Sequence, residues 1–522
     1  MRRLSLSLPV SRRQYVRHAS YVAGLFNFRI VPEELFPYPS RKLDADEAEA
    51  VQALIEQIRT RDKELNLAGA RVATEYGGLG LGHTSHALVC EEVGTSGDGR
   101  LLQTIQHCSF ASYLLSTVGS KEVKGKYLTG MSDGSIMMGW ATQEDCGNDI
   151  SMNTTKATLT GDGIYAVTGC KRCDFAEGAT HYLVLAKTFT QTATEAGPME
   201  VSRNTFFVVD KNAKGVSVKD GTVSFKDTPV VDVVGVVGEG FKDRMITLFT
   251  EQYVYASILL GIAKRVVQEL RNSVPEQWAA DKVASCACIM YAMESALYAL
   301  TANLDLPTED SLLEAALVNV FVQSSTNKWF SILSTATPVS EALEKCFENA
   351  RLLLSMMEST DFLYSSAVCC GVEDYGLVFQ RTSTLQMMQL RMMRSMGMKD
   401  RVPVQEIDCS AIDSAVITFG NAVEATFVRN ASQVPHQQLI INRLGEAASL
   451  LYAASASASR AAMCQSKRLP TAKIEKELAS AFIAMATKRS NQLSEESRNI
   501  GMTADDSYKR IAVAMCEKAL RS

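Results

Sequence analysis

No apolar run in this chain reaches the roughly 18 to 20 residues that a bilayer-spanning helix needs; the nearest, Tyr253 to Ala263, is too short. Charge of one sign is not in excess either. A net charge of −5 over 522 residues gives no electrostatic reason to expect nucleic acid as a partner. An apolar secretory leader is missing, so the thirteen cysteines read as reduced thiols. Cys170 and Cys173 have metal-like spacing, but no second pair follows, and a tetrahedral zinc site normally needs four ligands, so no metal is expected. Acidic residues are absent before Glu33, whereas Arg2, Arg3, Arg12, Arg13, Arg17 and Arg29 occur there among Ser and Leu. That is the composition of a cleavable mitochondrial presequence over residues 1–30, the plainer alternative being a basic tail.

With 46% hydrophobic and 21% charged residues, the rest is globular, with room for one large domain and one or two more. Phe36-Pro37-Tyr38-Pro39-Ser40 reads as an extended arm lying against the body, because its two prolines exclude helix. Val51, Leu54, Ile55 and Ile58 form the buried stripe of a helix from Leu43 to Leu65. Tyr76 to Gly82 is a glycine-rich turn without a preceding strand or a following Lys-Ser/Thr, which favours packing between helices over a phosphate cradle. Helices follow at Thr84 to Gly94, Leu101 to Val118 and Lys121 to Met131.

From Gly139 to about Gly235 the period changes to two. Thr158 to Thr160 and Ile164 to Val167 flank Gly161-Asp162-Gly163, a hairpin signal. With no long helix interrupting the strands, the sheet is predicted to be antiparallel. After Gly240 helical periodicity returns: one helix carries Met245 to Leu270, and Lys282 to Leu304, Ser311 to Leu333 and Ser340 to Ser365 supply three more, enough for a bundle. Gly371 to Pro403 reads as less ordered. Cys409 to Asn430, Pro435 to Cys464, Ala472 to Asn491 and Asp505 to Leu520 form a second helical set rich in Ala and Ser. Gly139 to Asp149, small and polar after an apolar entry, suits a backbone that approaches a planar ligand, or simply a loop into a strand.

This order of helices, β domain and bundle resembles the acyl-CoA dehydrogenase family from about Phe36 to Gly371. The Phe-Pro-Tyr-Pro-Ser arm, the mitochondrial address and the added helical region are most similar to its mitochondrial very-long-chain members. Tyr76 to Gly80 looks like the family's front-domain turn, Gly235 to Lys242 like its β-to-helix junction, and Thr142 to Asp149 keeps the spacing of its flavin loop. The resemblance implies an α+β, mostly α fold: a presequence (1–30), an N-terminal helical domain (31–135), a small antiparallel β domain (136–237), a four-helix bundle (238–371) and an additional helical region (372–522).

It also implies a reaction, the FAD-dependent α,β-dehydrogenation of a long-chain fatty acyl-CoA in β-oxidation, with electrons passed to electron-transfer flavoprotein. The expected setting is a homodimer in the mitochondrial matrix, where peripheral contact with the inner membrane stays open. Proton removal beside the thioester needs a carboxylate base, and Glu358 aligns with the family's base. The apolar Leu352 to Leu354 and Met356 to Met357 before it would desolvate that carboxylate, as a base working near neutral pH requires; an exposed Glu at a helix end is the plain alternative. Thr142, Cys173 and Phe175 align with flavin contacts, and Asn148 and Gln252 with substrate contacts.

Several of these positions depart from the family's pattern. Gln143 and Glu144 stand for Glu-Pro, Asn148 for serine, and Cys173-Asp174-Phe175 for the Trp-x-Thr/Ser wall. Gln252 stands for an arginine, Asn272 to Trp278 shortens a pyrophosphate-binding segment, Ser334 to Pro338 replaces a glycine-rich turn, and Ser359 replaces a glycine. Each lost contact is worth about 1–3 kcal/mol of cofactor binding unless Lys171, Arg172 or Arg265 compensates. A second reading follows: a family member without FAD, acting as an interaction or assembly subunit.

Overall fold

Short polar side chains set where this chain begins its helices. In the computed structural model, which describes residues 20–61, 67–145, 150–161, 163–194, 197–273, 280–306, 311–333, 340–396, 400–499, 501 and 503–519, Ser20 accepts the amide of Ala23 and opens helix α1 (Tyr21–Phe26). Asp44 starts α2 (Ala45–Thr60) in the same way, with Val51, Leu54 and Ile58 inward as their spacing predicts. Helices α3 (His83–Ser96), α4 (Gly99–Val118) and α5 (Lys121–Ser132) complete the helical front. Gly78 makes the turn before α3 possible, since a Cβ there would lie 2.1 Å from the Val72 carbonyl oxygen. That close backbone approach agrees with the packing role read from the sequence.

Eight strands follow: β1 (Met138–Ala141), β2 (Lys156–Gly161), β3 (Ile164–Arg172), β4 (His181–Thr194), β5 (Gly197–Asp210), β6 (Val216–Lys219), β7 (Thr222–Val230) and β8 (Val233–Val234). Their order is β6-β7-β3-β2-β4-β5-β8, with β1 also on β4. The expected hairpin is the β2–β3 pair, in register at Leu159 and Tyr165. Most pairs are antiparallel; β1 and β2 run parallel to β4. Trp140 fastens the sheet to the helical front, its ring lying between Phe110 at 5.7 Å and Phe206 at 5.5 Å.

Helices α6 (Gly240–Glu251) and α7 (Tyr253–Ser273) replace the single helix expected there, meeting at Gln252. With α8 (Ser285–Leu304), α9 (Leu312–Leu333) and α10 (Glu341–Met356) they form the bundle. Gly240–Glu269 and Lys282–Leu304 are long and apolar enough to cross a membrane, but 89% and 56% of their most apolar windows are buried inside the protein, as core helices are. The helix expected over Ser340 to Ser365 breaks at Met357 to Ser359, and α11 (Thr360–Arg381) runs through the stretch read as less ordered. Helix α12 (Thr384–Ser395) follows, started by a reciprocal Ser383–Gln386 capping box. Met, Arg and Gln are good helix formers, so intrinsic propensity outweighed the lack of a clear apolar stripe.

The last set is α13 (Ser410–Asn430), α14 (Gln438–Ser466), α15 (Ala472–Arg498) and α16 (Asp505–Ala519). Helix α14 packs against α8, α9, α11, α13 and α15. Its small residues let the neighbours come close, and buried Ser455 and Ser457 bond back to the carbonyls of Leu451 and Ala453 at 2.9 and 2.7 Å, which satisfies their hydroxyls. One apolar core runs from Tyr21 through both helical sets to Leu493.

That core takes in part of the segment expected as a presequence. Tyr21, Val22, Leu25 and Phe26 are fully buried, Tyr21 donates to Ser455 at 2.7 Å, and the Val22 amide donates to Glu314 at 2.9 Å. Removing residues through 30 would strip these side chains from the core, each worth about 1.5–3 kcal/mol. Mass spectrometry of the mature protein is therefore expected to find its first residue at or before Ser20. A chain starting at Val31 is expected to melt at a clearly lower temperature than one starting at Ser20, followed by circular dichroism.

Candidate functional site at the junction of sheet and bundle

Glu358 owes its position to the helix break. Met356 ends α10, Met357 is extended at φ −72° and ψ 154°, and Ser359 caps α11 by accepting the Phe362 amide at 3.2 Å. Ser359, which stands where the resembled family has a glycine, therefore serves as the N-cap. The Glu358 carboxyl turns inward and is 3% exposed. Gln323 on α9 donates to its backbone carbonyl at 3.1 Å and holds the turn.

Opposite it stands Arg244 on α6, 2% exposed. Its Nη2 donates to Glu358 Oε1 in a buried ion pair, and its Nε reaches Thr142 Oγ1 at 3.4 Å. Gln143 Nε2 also approaches Glu358 Oε1, at 3.4 Å. Thr142, expected as a flavin contact, and Glu358, expected as the base, are thus bridged by one guanidinium. The Arg244 guanidinium and the Gln143 amide occupy the space between the Thr142 loop and Glu358.

Among the described residues, the other expected site residues take no part in the Arg244–Glu358 pair. Cys173 points into the core of the sheet, where a Cβ on Gly139 would meet its Sγ at 2.8 Å. The close backbone approach at Gly139 therefore serves packing inside the β domain. Phe175 takes a left-handed backbone, φ 54°, and sets its ring edge-on to His107 of α4, centroids 6.4 Å apart. Gln252 is buried at the α6–α7 junction, and neither end of its amide has a partner among the described residues. Asn148, with Cys146, Gly147 and Asp149, lies outside the described residues, as do the Val274 to Trp278 part of the shortened segment and Ser334 to Pro338.

The cations considered as compensation are engaged elsewhere. Lys171, fully buried, bonds Glu144 at 2.8 Å. Arg265 donates to the Thr95 and Ser96 carbonyls at the end of α3. Arg172 is exposed and stands 3.6 Å from Asp145. Burial alone would raise the Glu144 carboxyl, but Lys171 and the amides of Thr154 and Thr155 outweigh it and bring the pKa down to about 2. Tyr255 is buried nearby, pushed well above its usual value by desolvation, with Asp174, Cys173 and Glu358 adding to the shift. Its hydroxyl bonds Gln106.

Sequence reasoning missed Arg244, Gln143 and Gln323 as partners of Glu358. A signal for the first was present. Arg244 falls at helical spacing with Leu248 and Glu251, on the face of α6 that is buried. A cation on an apolar stripe requires an internal counter-charge.

Comparison with known proteins fits this geometry into a wider group. Residues 30–135 match the acyl-CoA dehydrogenase N-terminal domain model and 406–520 the ACAD9/ACADV C-terminal domain model. The chain is similar to the mitochondrial very long-chain specific acyl-CoA dehydrogenases of Rattus norvegicus, 24% identical over 98% of this chain and 90% of that one, and Bos taurus, 25% identical over 96% and 88%. Among solved structures it is similar in fold to an acyl-CoA dehydrogenase of Bacillus anthracis complexed with FAD, with TM-score 0.71 and 19% identity over 91% of this chain and 86% of that one.

Two outcomes are expected from the charges. Arg244→Met leaves Glu358 buried without its cation and is expected to lower unfolding free energy by about 3–5 kcal/mol in urea titrations, with R244M/E358Q recovering most of the loss. The depressed Glu144 contributes stability in full above its ordinary value of 4.5. That contribution is lost as pH falls from there toward about 2. K171M is expected to weaken the pH dependence of unfolding across this window.

Proposed function

This chain carries an acyl-CoA dehydrogenase-family domain, and from that premise we propose that it is a family member whose flavin site has closed, serving in mitochondria as an interaction or assembly subunit. The observation that carries the proposal is the Arg244 guanidinium bonded to both Thr142 and Glu358. A side chain with fixed charge fills the gap a cofactor would need, and its removal would leave Glu358 unpaired. The mitochondrial setting is supported by the relatives' location and by the acid-free, arginine-containing start of the chain. We place the end of any targeting segment before Ser20.

The interaction role is supported by apolar surface that the monomer leaves uncovered. Helix α12 exposes Leu385, Met388 and Met392, and α16 exposes Tyr508, Ile511 and Met515. Contiguous apolar side chains on a soluble surface mark contact sites. A second copy of the chain or another protein would cover them.

A second reading, dehydrogenation of a long-chain acyl-CoA with FAD and electron-transfer flavoprotein, is favoured by one feature. Glu358 is kept at a helix break, and its Oε2 has no hydrogen-bond partner among the described residues. For that reading Arg244 has to swing away from Thr142.

The visible spectrum of the purified full-length protein separates the two. The expected result is a colourless protein that takes up no added FAD and elutes in complex with partner proteins. A yellow protein that is bleached by a long-chain acyl-CoA, and is not bleached as E358Q, overturns the proposal in favour of dehydrogenation.

A further inference from the structure

Strands β4 and β5 outrun the rest of their sheet. They pair antiparallel without a register shift, from His181 opposite Asp210 to Thr194 opposite Gly197. Their neighbours stop sooner. Beside β4, β1 reaches Val184 and β2 touches only at Lys187; beside β5, β8 covers Phe206 and Phe207. Among the described residues, 188–194 and 197–203 therefore form a ribbon of two strands to which no third is added. A two-stranded ribbon alone in water is marginal, and an open edge is a template for another strand.

The two strands of the ribbon differ in composition. Strand β5 carries Pro198, Glu200 and Arg203, a proline and charges of the kind that guard exposed edges. From Thr188 to Thr194, β4 reads Thr-Phe-Thr-Gln-Thr-Ala-Thr and has neither. Threonine and phenylalanine favour strands, so this stretch is suited to pairing and unguarded against it. Phe189, on the unguarded strand, is 46% exposed.

The bonding pattern of the open edge is symmetric. The amides of His181 and Lys187 donate outward from β4, to the Met137 carbonyl at 3.2 Å and the Thr155 carbonyl at 2.9 Å. With a strand period of two, Phe189, Gln191 and Ala193 present their N–H and C=O groups to that same side. Turned about a two-fold axis at Gln191, this set matches itself. Phe189 then meets Ala193 of a second copy, Gln191 meets Gln191, and Ala193 meets Phe189. Each pair exchanges two backbone bonds, so about six form. In sequence, the same register brings Lys187 of one copy level with Glu195 of the other at both ends, which closes an uncharged stretch with opposite charges.

We propose that β4 pairs edge to edge and antiparallel with β4 of a second copy, about a two-fold axis at Gln191. Such a contact is isologous, each copy giving and receiving the same bonds. It uses a different surface from the exposed faces of α12 and α16, and it holds whether or not Glu358 is catalytic.

The test is disulfide trapping in the full-length protein, with the exposed Cys170 and Cys516 removed as C170S and C516S. Residues bonded directly across an antiparallel pair stand about 5.5 Å apart at Cα, within the span of a disulfide. Q191C, oxidised with diamide, is expected to run as a covalent pair on non-reducing denaturing electrophoresis. A193C, whose counterpart lies four residues farther along the strand, about 13 Å away, is expected to stay single. Sedimentation equilibrium then compares Q191K, which sets like charges opposite each other at the axis, with Q191T, which does not. The expected result is association weakened about tenfold or more in Q191K and retained in Q191T, with thermal melting unchanged in both. Q191C that stays single, A193C that cross-links as readily as Q191C, or association unaltered in Q191K overturns the proposal. None of these readouts involves a flavin, so they stand apart from the visible spectrum.

Discussion

Two opposite charges sealed away from water, Arg244 and Glu358, impose the constraint on which the middle of this molecule depends. Each ion gives up hydration worth several kcal/mol, and only their mutual attraction and added hydrogen bonds offset that cost. Neither can move alone. The first helix after the sheet and the break between α10 and α11 are therefore locked together, and the Thr142 loop is drawn against both. That pair makes the junction of the β domain and the bundle a charged joint.

The same device recurs where other elements meet. Lys171 and Glu144 join β3 to the loop after β1. Arg71 bonds Glu251 at 2.9 Å, and His83 bridges Glu251 and Asp305, tying the front helices to α6 and the end of α8. Farther out, Glu294 on α8 accepts from Arg460 on α14 and from Lys264 on α7. Such pairs add little net stability compared with apolar substitutes, but breaking one leaves an uncompensated charge, so they specify which elements meet. Interior charge at the Glu358 junction is consequently satisfied mainly by protein.

Much of the architecture was legible because it rests on local rules. The stripe through Val51, Leu54 and Ile58 faces the core as its spacing requires, and Gly161 and Gly163 bracket a real hairpin. Legibility failed where local preference was overridden or weak. The break at Met357 to Ser359 carries no proline or glycine, so nothing local marked it, and only the serine cap shows why the helix restarts there. Residues 20–30 have the composition of a targeting segment, yet Tyr21, Val22, Leu25 and Phe26 find an apolar slot among helices from the far end of the chain.

By itself the sequence determined the succession of helical front, sheet, bundle and added helices, because periodicity and turn residues act over a few positions. It also determined where the chain departs from the pattern of the family it resembles, since Gln143, Cys173, Phe175 and Gln252 can be read one by one. Only the tertiary structure decided what those alterations amount to. Arg244 lies 114 residues before Glu358, and no local pattern tells which buried cation will meet which buried acid. That pairing is chosen by burial: once the bundle closes on the sheet, each charge must take the counter-charge within reach.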